Sequence, residues 1–213
     1  MAVAVTLEQI RRLAPNARSS YREAFQNGQP FLDRAGISAT PLRTAHFMAQ
    51  VLHESGGLAV QIESLNYSAP RLPKVWPTRF KPTGPLDPAE FAHNQQKLGN
   101  EVYGGRMGNI GANDGFTYRG RGLLQLTGRD SYQKATATLR AQHPAAPDFV
   151  LVPDEVFSAQ WCLAVAAAEW AAKGCNGHAD QDDIRRVTRA INGGLIGLSD
   201  RMEWLRLTRR VWS

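Results

Sequence analysis

The sequence has little cysteine, with only Cys162 and Cys175 among its 213 residues. That excludes the dense disulfide framework of small secreted domains. If the Ala-rich run from Ala159 to Lys173 is one helix, the two Cα atoms lie about 20 Å apart at ~1.5 Å per residue, beyond the roughly 7 Å that a bridge can span. Two free thiols are therefore expected, and they suit a reducing compartment. Long apolar runs are also missing. Nothing approaches the roughly 20 residues of a membrane span, so no stable membrane anchor is expected. Met1 to Thr6 has no basic segment and too short an apolar stretch for a signal peptide, so the chain is expected to accumulate in the cytoplasm. Nucleotide and metal signatures are lacking too. No Gly-Lys-Ser/Thr occurs, and His53-Glu54 is followed by Ser55, Gly56 and Gly57 rather than by the second histidine of a zinc helix. No cofactor and no metal is implied.

Acidic residues are outnumbered, 19 against 25 Lys and Arg, which leaves a net charge of +6. Such a balance favours polyanions, among them nucleic acid, anionic lipid and the bacterial envelope, or simply solvated surface. No recognition-helix motif or zinc spacing accompanies the arginines, so nucleic acid is not expected as a partner. At this length one substantial core, or two lobes sharing a cleft, can be buried. A single domain over residues 1–213 is expected, with a smaller lobe within about 66–115.

Punctuation along the chain predicts mostly helix. Thr6-Leu7-Glu8-Gln9 and Ser20-Tyr21-Arg22-Glu23 read as capping boxes. Thr40-Pro41 opens a helix whose apolar positions Leu42, Ala45, Met48, Ala49 and Leu52 recur at helical spacing until Gly56-Gly57. Six prolines between Pro70 and Pro88 predict a loop with a short turn of helix near Trp76. Helices are predicted over Asp87 to Asn100, Arg129 to Gln142, Ala159 to Lys173, Asp182 to Ile191 and Leu198 to Trp212. A small β-hairpin is predicted for Phe116 to Thr127.

The informative chemistry is a pair of carboxylates. Glu54 closes the Thr40-capped helix and Glu63 follows nine positions later. Cleaving a glycosidic bond takes one carboxylic acid to protonate the leaving oxygen and a second carboxylate to activate water or to attack. At a helix C-terminus the negative end of the dipole helps keep a proton on Glu54, which suits the acid. Solvent around the polar segment Gln61 to Asn66 suits Glu63 as an ionised base. On spacing alone both remain open to the commonest fate of a glutamate, which is solvated surface.

Further segments decide between these readings. His53-Glu54-Ser55-Gly56-Gly57, Glu63-Ser64-Leu65-Asn66-Tyr67-Ser68-Ala69, Trp76-Pro77-Thr78-Arg79-Phe80, Val102-Tyr103-Gly104-Gly105-Arg106-Met107-Gly108-Asn109 and the run Asp114 to Gly128 occur in this order, followed by Ile191-Asn192-Gly193-Gly194 and Asp200-Arg201. Together they resemble glycoside hydrolase family 19, and most closely its phage and prophage endolysin branch, over roughly Pro41 to Trp212. The resemblance implies a mainly α, lysozyme-like, two-lobed fold with a small hairpin or irregular region at the cleft. It implies an inverting hydrolysis with Glu54 as general acid, Glu63 as the base that activates water and Thr127 as the hydroxyl that helps hold that water. An inverting pair stands about 6.5–9.5 Å apart to admit the water. By the same resemblance Gln125 and Asn192 hold the sugar, Tyr118 supports the cleft and Arg201 pairs with the acid. Tyr67, Trp76 and Tyr103 are candidates for stacking on sugar faces, or for ordinary packing.

The endolysin pattern implies that the substrate is peptidoglycan glycan strands, cut by a monomer made in a bacterial cytoplasm and released to the cell wall through a separate holin-type pore. Chitin remains the enzymatic alternative. A non-catalytic glycan-binding protein is a further one, although binding alone needs none of Glu54, Glu63 and Thr127. The C-terminal segment with Arg201, Arg206, Arg209 and Arg210 reads as a packed helix with a charged outer face, or as an amphipathic helix able to disturb a membrane.

Overall fold

The computed structural model describes residues 2–213, and helices dominate them. The chain opens with α1 (Leu7–Leu13), α2 (Ser19–Asn27) and α3 (Gln29–Arg34), then enters the long α4 (Pro41–Glu54). The Thr6 capping box forms, with Gln9 as the reciprocal partner. The Ser20 box does not. α2 begins two residues earlier, behind Arg18, and the Ser20 hydroxyl instead accepts from Gln61 Nε2 at 3.0 Å.

After α4 come α5 (Leu72–Val75), α6 (Gln95–Tyr103) and α7 (Asp114–Thr117), then α8 (Arg129–Gln142), α9 (Cys162–Ala172), α10 (Cys175–Asp180), α11 (Ile184–Asn192) and α12 (Leu198–Arg209). The helix predicted over Asp87 to Asn100 is broken. A 3-10 turn at Pro88–Glu90 ends near His93, which takes φ 55, and Asn94 caps α6 by accepting from Lys97 N at 2.9 Å. A single Asn in the right place restarts the helix. The hairpin predicted for Phe116 to Thr127 is also corrected. Its first residues are helical in α7, and pairing shrinks to isolated bridges from Arg121 to Leu126 and from Ile62 to Arg121. Gly122 and Gln125 both take positive φ, which coils the segment too tightly for two strands.

The main core forms around α4 and α9. Every residue from Thr44 to Leu52 is buried, so α4 is enclosed on all sides rather than amphipathic. Phe47 and Trp170 meet edge to face at 5.4 Å. Cys162 and Cys175 are unpaired and buried, and burial pushes both thiols up to about 12, which leaves them inert. A second apolar cluster gathers Leu65, Leu72, Phe80, Phe91, Leu98 and Val102, with Tyr67 and Trp76 packed against it. The cleft lies between this cluster and the main core. α12 crosses α4, and the pair is tied by Thr208 Oγ1 donating to Ala45 O at 2.9 Å.

Candidate active site

Glu54 occupies the last position of α4, and the chain fixes it there from both ends. Pro41 and the Thr40 cap set the start of the helix. Gly56 and Gly57, at φ 55 and 69, end it, and Gly57 N donates back to Leu52 O at 2.7 Å. From α12, the buried Arg201 reaches across as a fork. Its Nη2 donates to Glu54 Oε1 and its Nη1 to Gln50 Oε1, each at 2.5 Å. Gln50 and Glu54 stand one turn apart on the same face, the spacing that a planar guanidinium can bridge. The approach of α12 is close: a Cβ at Gly197 would lie 2.4 Å from His53, whose Nδ1 hydrogen-bonds Asp200 at 2.6 Å. The electrostatic partner of Glu54 is thus an arginine from a distant helix, in addition to its own helix end. Oε2 is the oxygen that Arg201 leaves unengaged.

Glu63 is held by backbone. Its N–H donates to Gly120 O at 2.9 Å and its Oε1 accepts from Gly120 N at 2.6 Å, while Oε2 accepts from Tyr103 OH at 2.9 Å. A Cβ at position 120 would lie 2.9 Å from Gln125 Oε1 and 3.3 Å from Glu63 Oε1, so a side chain there would push on both groups. Burial, reinforced by the adjacent Glu63 charge, pushes the Tyr103 phenol well above its ordinary range, so it stays a donor. These two donors hold the Glu63 carboxylate in one orientation. Tyr103 therefore acts on the carboxylate through its hydroxyl. Arg121, 4% exposed, anchors the segment below by donating to Thr117 O, Tyr132 OH and Asp154.

Glu54 and Glu63 open into one cavity of about 550 Å³, together with Tyr103, Gln125, Thr127 and Asn192. Thr127 Oγ1 donates to Gln125 O at 2.8 Å, and Gln125 Nε2 makes the local turn bond to Gly122 O at 3.0 Å. Four residues singled out in the sequence, Tyr118, Tyr67, Trp76 and Arg201, do not line this cavity. Tyr118 is buried beneath it with its hydroxyl on Val150 O, so it supports the floor and does not meet substrate there. Tyr67 packs on Trp76 at 5.2 Å, and Arg201 serves the acid rather than a sugar. Gln50, Gly120, Glu169 and Lys173 were missed. The last two line the cavity, where Lys173 Nζ donates to Ala190 O and Ile191 O at the end of α11. Their one sequence signal is an i,i+4 Glu-Lys pair closing an otherwise apolar helix.

A helical fold of two clusters that holds two glutamates, differently supported, in one cleft defines the class as a glycan-cleaving hydrolase. No family model matches the chain. A protein of Haemophilus influenzae, described as a glycosyl hydrolase family 19 domain-containing protein, is 33% identical over 177 residues, which is 82% of each chain. The protein belongs to glycoside hydrolase family 19 and is a glycoside hydrolase. Among solved structures, chitinase C from Streptomyces griseus superimposes with a TM-score of 0.60 at 17% identity, covering 99% of this chain and 93% of that one. A second bacterial family 19 chitinase gives 0.57 at 20% identity over 96% and 95%. The mainly α, lysozyme-like fold is therefore the one expected.

Proposed function

We propose that the protein hydrolyses the β-1,4 glycosidic bonds of bacterial peptidoglycan with inversion, as an endolysin made in a host cytoplasm and released to the cell wall through a separate pore. The observation that carries the hydrolysis is the division of labour in the cleft. Glu54 has one oxygen tied to Arg201 and the other left to carry a proton to the leaving group. Glu63 has one donor on each oxygen, from Gly120 and Tyr103. The remaining lone pairs are available to a water, and Thr127, which lines the same cavity, is the hydroxyl proposed to help hold it. A base fixed by backbone and phenol needs no rearrangement when it takes the proton from that water.

Two observations favour the cell wall over chitin. A net charge of +6 suits an anionic envelope, and two inert thiols suit synthesis in a reducing compartment. The chitin reading rests on the names of the two structural neighbours. The deciding experiment is mass spectrometry of the soluble products released from purified peptidoglycan and from chitin oligomers by wild type and Glu54→Gln. Reducing-end muropeptides from wild type alone are the expected result. Products from chitin only would replace peptidoglycan by chitin as substrate.

A further inference from the structure

The segment that holds Glu63 has a second face. Another cavity of about 550 Å³, sharing no lining residue with the catalytic cleft, is lined by Phe116, Arg119, Arg121, Val152, Pro153 and Asp154 among others. Its two walls are firmly joined. Arg121 Nε pairs with Asp154 at 2.9 Å, and a Cβ at Gly122 would lie 2.9 Å from Val156 O, so the catalytic segment packs directly on the turn Pro153–Phe157. The cavity is therefore a feature of the packed fold.

Its chemistry differs from that of the cleft. Phe116, Val152 and Pro153 give an apolar lining, and charge of both signs sits at its margins. The Arg119 guanidinium lies 3.9 Å over the Phe116 ring and donates from Nη1 to Phe116 O at 2.7 Å, which holds it in one orientation. Among the described residues it has no carboxylate partner, and its buried Nε has no acceptor. Burial and the neighbouring Arg121 both press against its charge. An oriented guanidinium with no carboxylate in direct contact, supported only by the more distant charges of Asp154 and Glu63, has room for an anion. Asp154, whose side chain is 68% exposed, offers the opposite charge on the facing wall. A chitin chain has neither charge, and a glycan strand stripped of peptide has carboxylates but no amino group. A short peptide of small residues with a free carboxylate and an amino group has both, and its methyl groups match the lining.

We infer that this cavity binds the stem peptide carried by peptidoglycan glycan strands, with Arg119 taking a carboxylate and Asp154 the amino group, an inference that rests on the peptidoglycan reading above. Arg119 adjoins Gly120, whose other neighbours are Glu63 and Gln125. A stem of three or four residues spans about 10–14 Å when extended at ~3.4 Å per residue. That reaches around a two-residue segment from the cleft. The stem would then report, through the Gly120 backbone, that a peptide-bearing strand is seated.

The test compares intact sacculi with the same sacculi stripped of stem peptides by an amidase, reading new reducing ends. Val152→Trp fills the cavity from a half-exposed position remote from the carboxylates, and Arg119→Met removes the cation. Wild type is expected to prefer the intact material by about tenfold or more, the scale of a charge-assisted hydrogen bond. Both variants are expected to lose that preference, with Val152→Trp keeping the wild-type rate on stripped strands. If wild type cuts both materials equally, or Val152→Trp leaves the preference intact, the stem site is overturned while the peptidoglycan reading stands. If wild type cuts neither material but cleaves chitin oligomers, both readings fall. Should Arg119→Met not fold, Val152→Trp alone decides.

Discussion

The two glutamates proposed to carry the catalysis are held by opposite means. Glu54 sits on a fully enclosed helix and is steered by a side chain, Arg201, from another helix that arrives nearly 150 positions later in the chain. Glu63 sits on irregular chain and is steered by the Gly120 backbone amide, with one phenol in support. The first arrangement is costly to bury. A guanidinium and a carboxylate lose their hydration and must satisfy each other with good geometry, which the Gln50 acceptor helps provide. The second needs no buried cation, but a side chain at position 120 would press on Gln125 and on Glu63 itself. A proton donor that must come and go is thus placed on the rigid element. The water-activating base is placed where backbone can preorganise it.

This contrast can be broken at several points, with effects of graded size. Glu54→Gln removes the proton donor and is expected to lower kcat by roughly 10²–10⁴-fold with KM little changed, read by steady-state kinetics on soluble glycan fragments. Glu63→Gln is expected to fall in the same range. The two differ in stability, since only Glu54→Gln leaves the buried Arg201 without its counter-charge, and a lower melting temperature for that variant alone sharpens the comparison. Gly120→Ala tests the backbone side. It is expected to cost about 10²-fold in kcat, the scale of a sub-ångström to 1 Å misplacement at a reacting centre, with Arg201 and Glu54 undisturbed.

Gln50→Met tests the helix side without touching the carboxylate. It removes an acceptor from a buried guanidinium, which costs about 1.5–3 kcal/mol. Part of that loss is expected to appear as lower kcat, and in an Arg201→Lys background the kinetic effect of Gln50→Met is expected to shrink. Full additivity in that double-mutant cycle would show that Gln50 does not act through Arg201. The smallest effect concerns the other end of α4. His46 is buried against Asp182, and burial holds its imidazole below the usual value of 6.5 despite that partner. The unfolded chain therefore binds the extra proton more readily than the folded one. This contribution to stability is full above about pH 6.5 and is lost as pH falls through the window below it. His46→Gln is expected to flatten the decline of melting temperature between about pH 6.5 and 5 relative to wild type. An unchanged slope would place that decline elsewhere.

Legibility in the sequence followed the range of the interactions. The Thr40 cap, the Pro41 start and the glycines after Ser55 act within a few residues, and α4 runs over the predicted span. The Asn94 cap was equally local yet was overlooked beneath a plausible longer helix. At the site, carboxylate identity and order were readable, but the reason Glu63 suits a base was not. Solvent was expected to keep it ionised, and the fold supplies an amide and a phenol instead. Tyr103 reads in the sequence as a stacking platform or as packing, because its hydroxyl partner lies 40 positions away. Gln50 has no distinguishing mark in an apolar helix until Arg201 is placed beside it.

By itself the sequence determined a mainly helical chain with a capped and glycine-stopped α4, two unpaired cysteines and a pair of glutamates bracketing that stop, because caps, periodicity and residue chemistry act locally. Only the tertiary structure decided which donor meets which oxygen of those glutamates. It also opened a second cavity beside the catalytic segment. Hydrogen bonds of 2.5–2.9 Å between residues 40 to 147 positions apart depend on how helices cross and loops close, and no local preference encodes those distances.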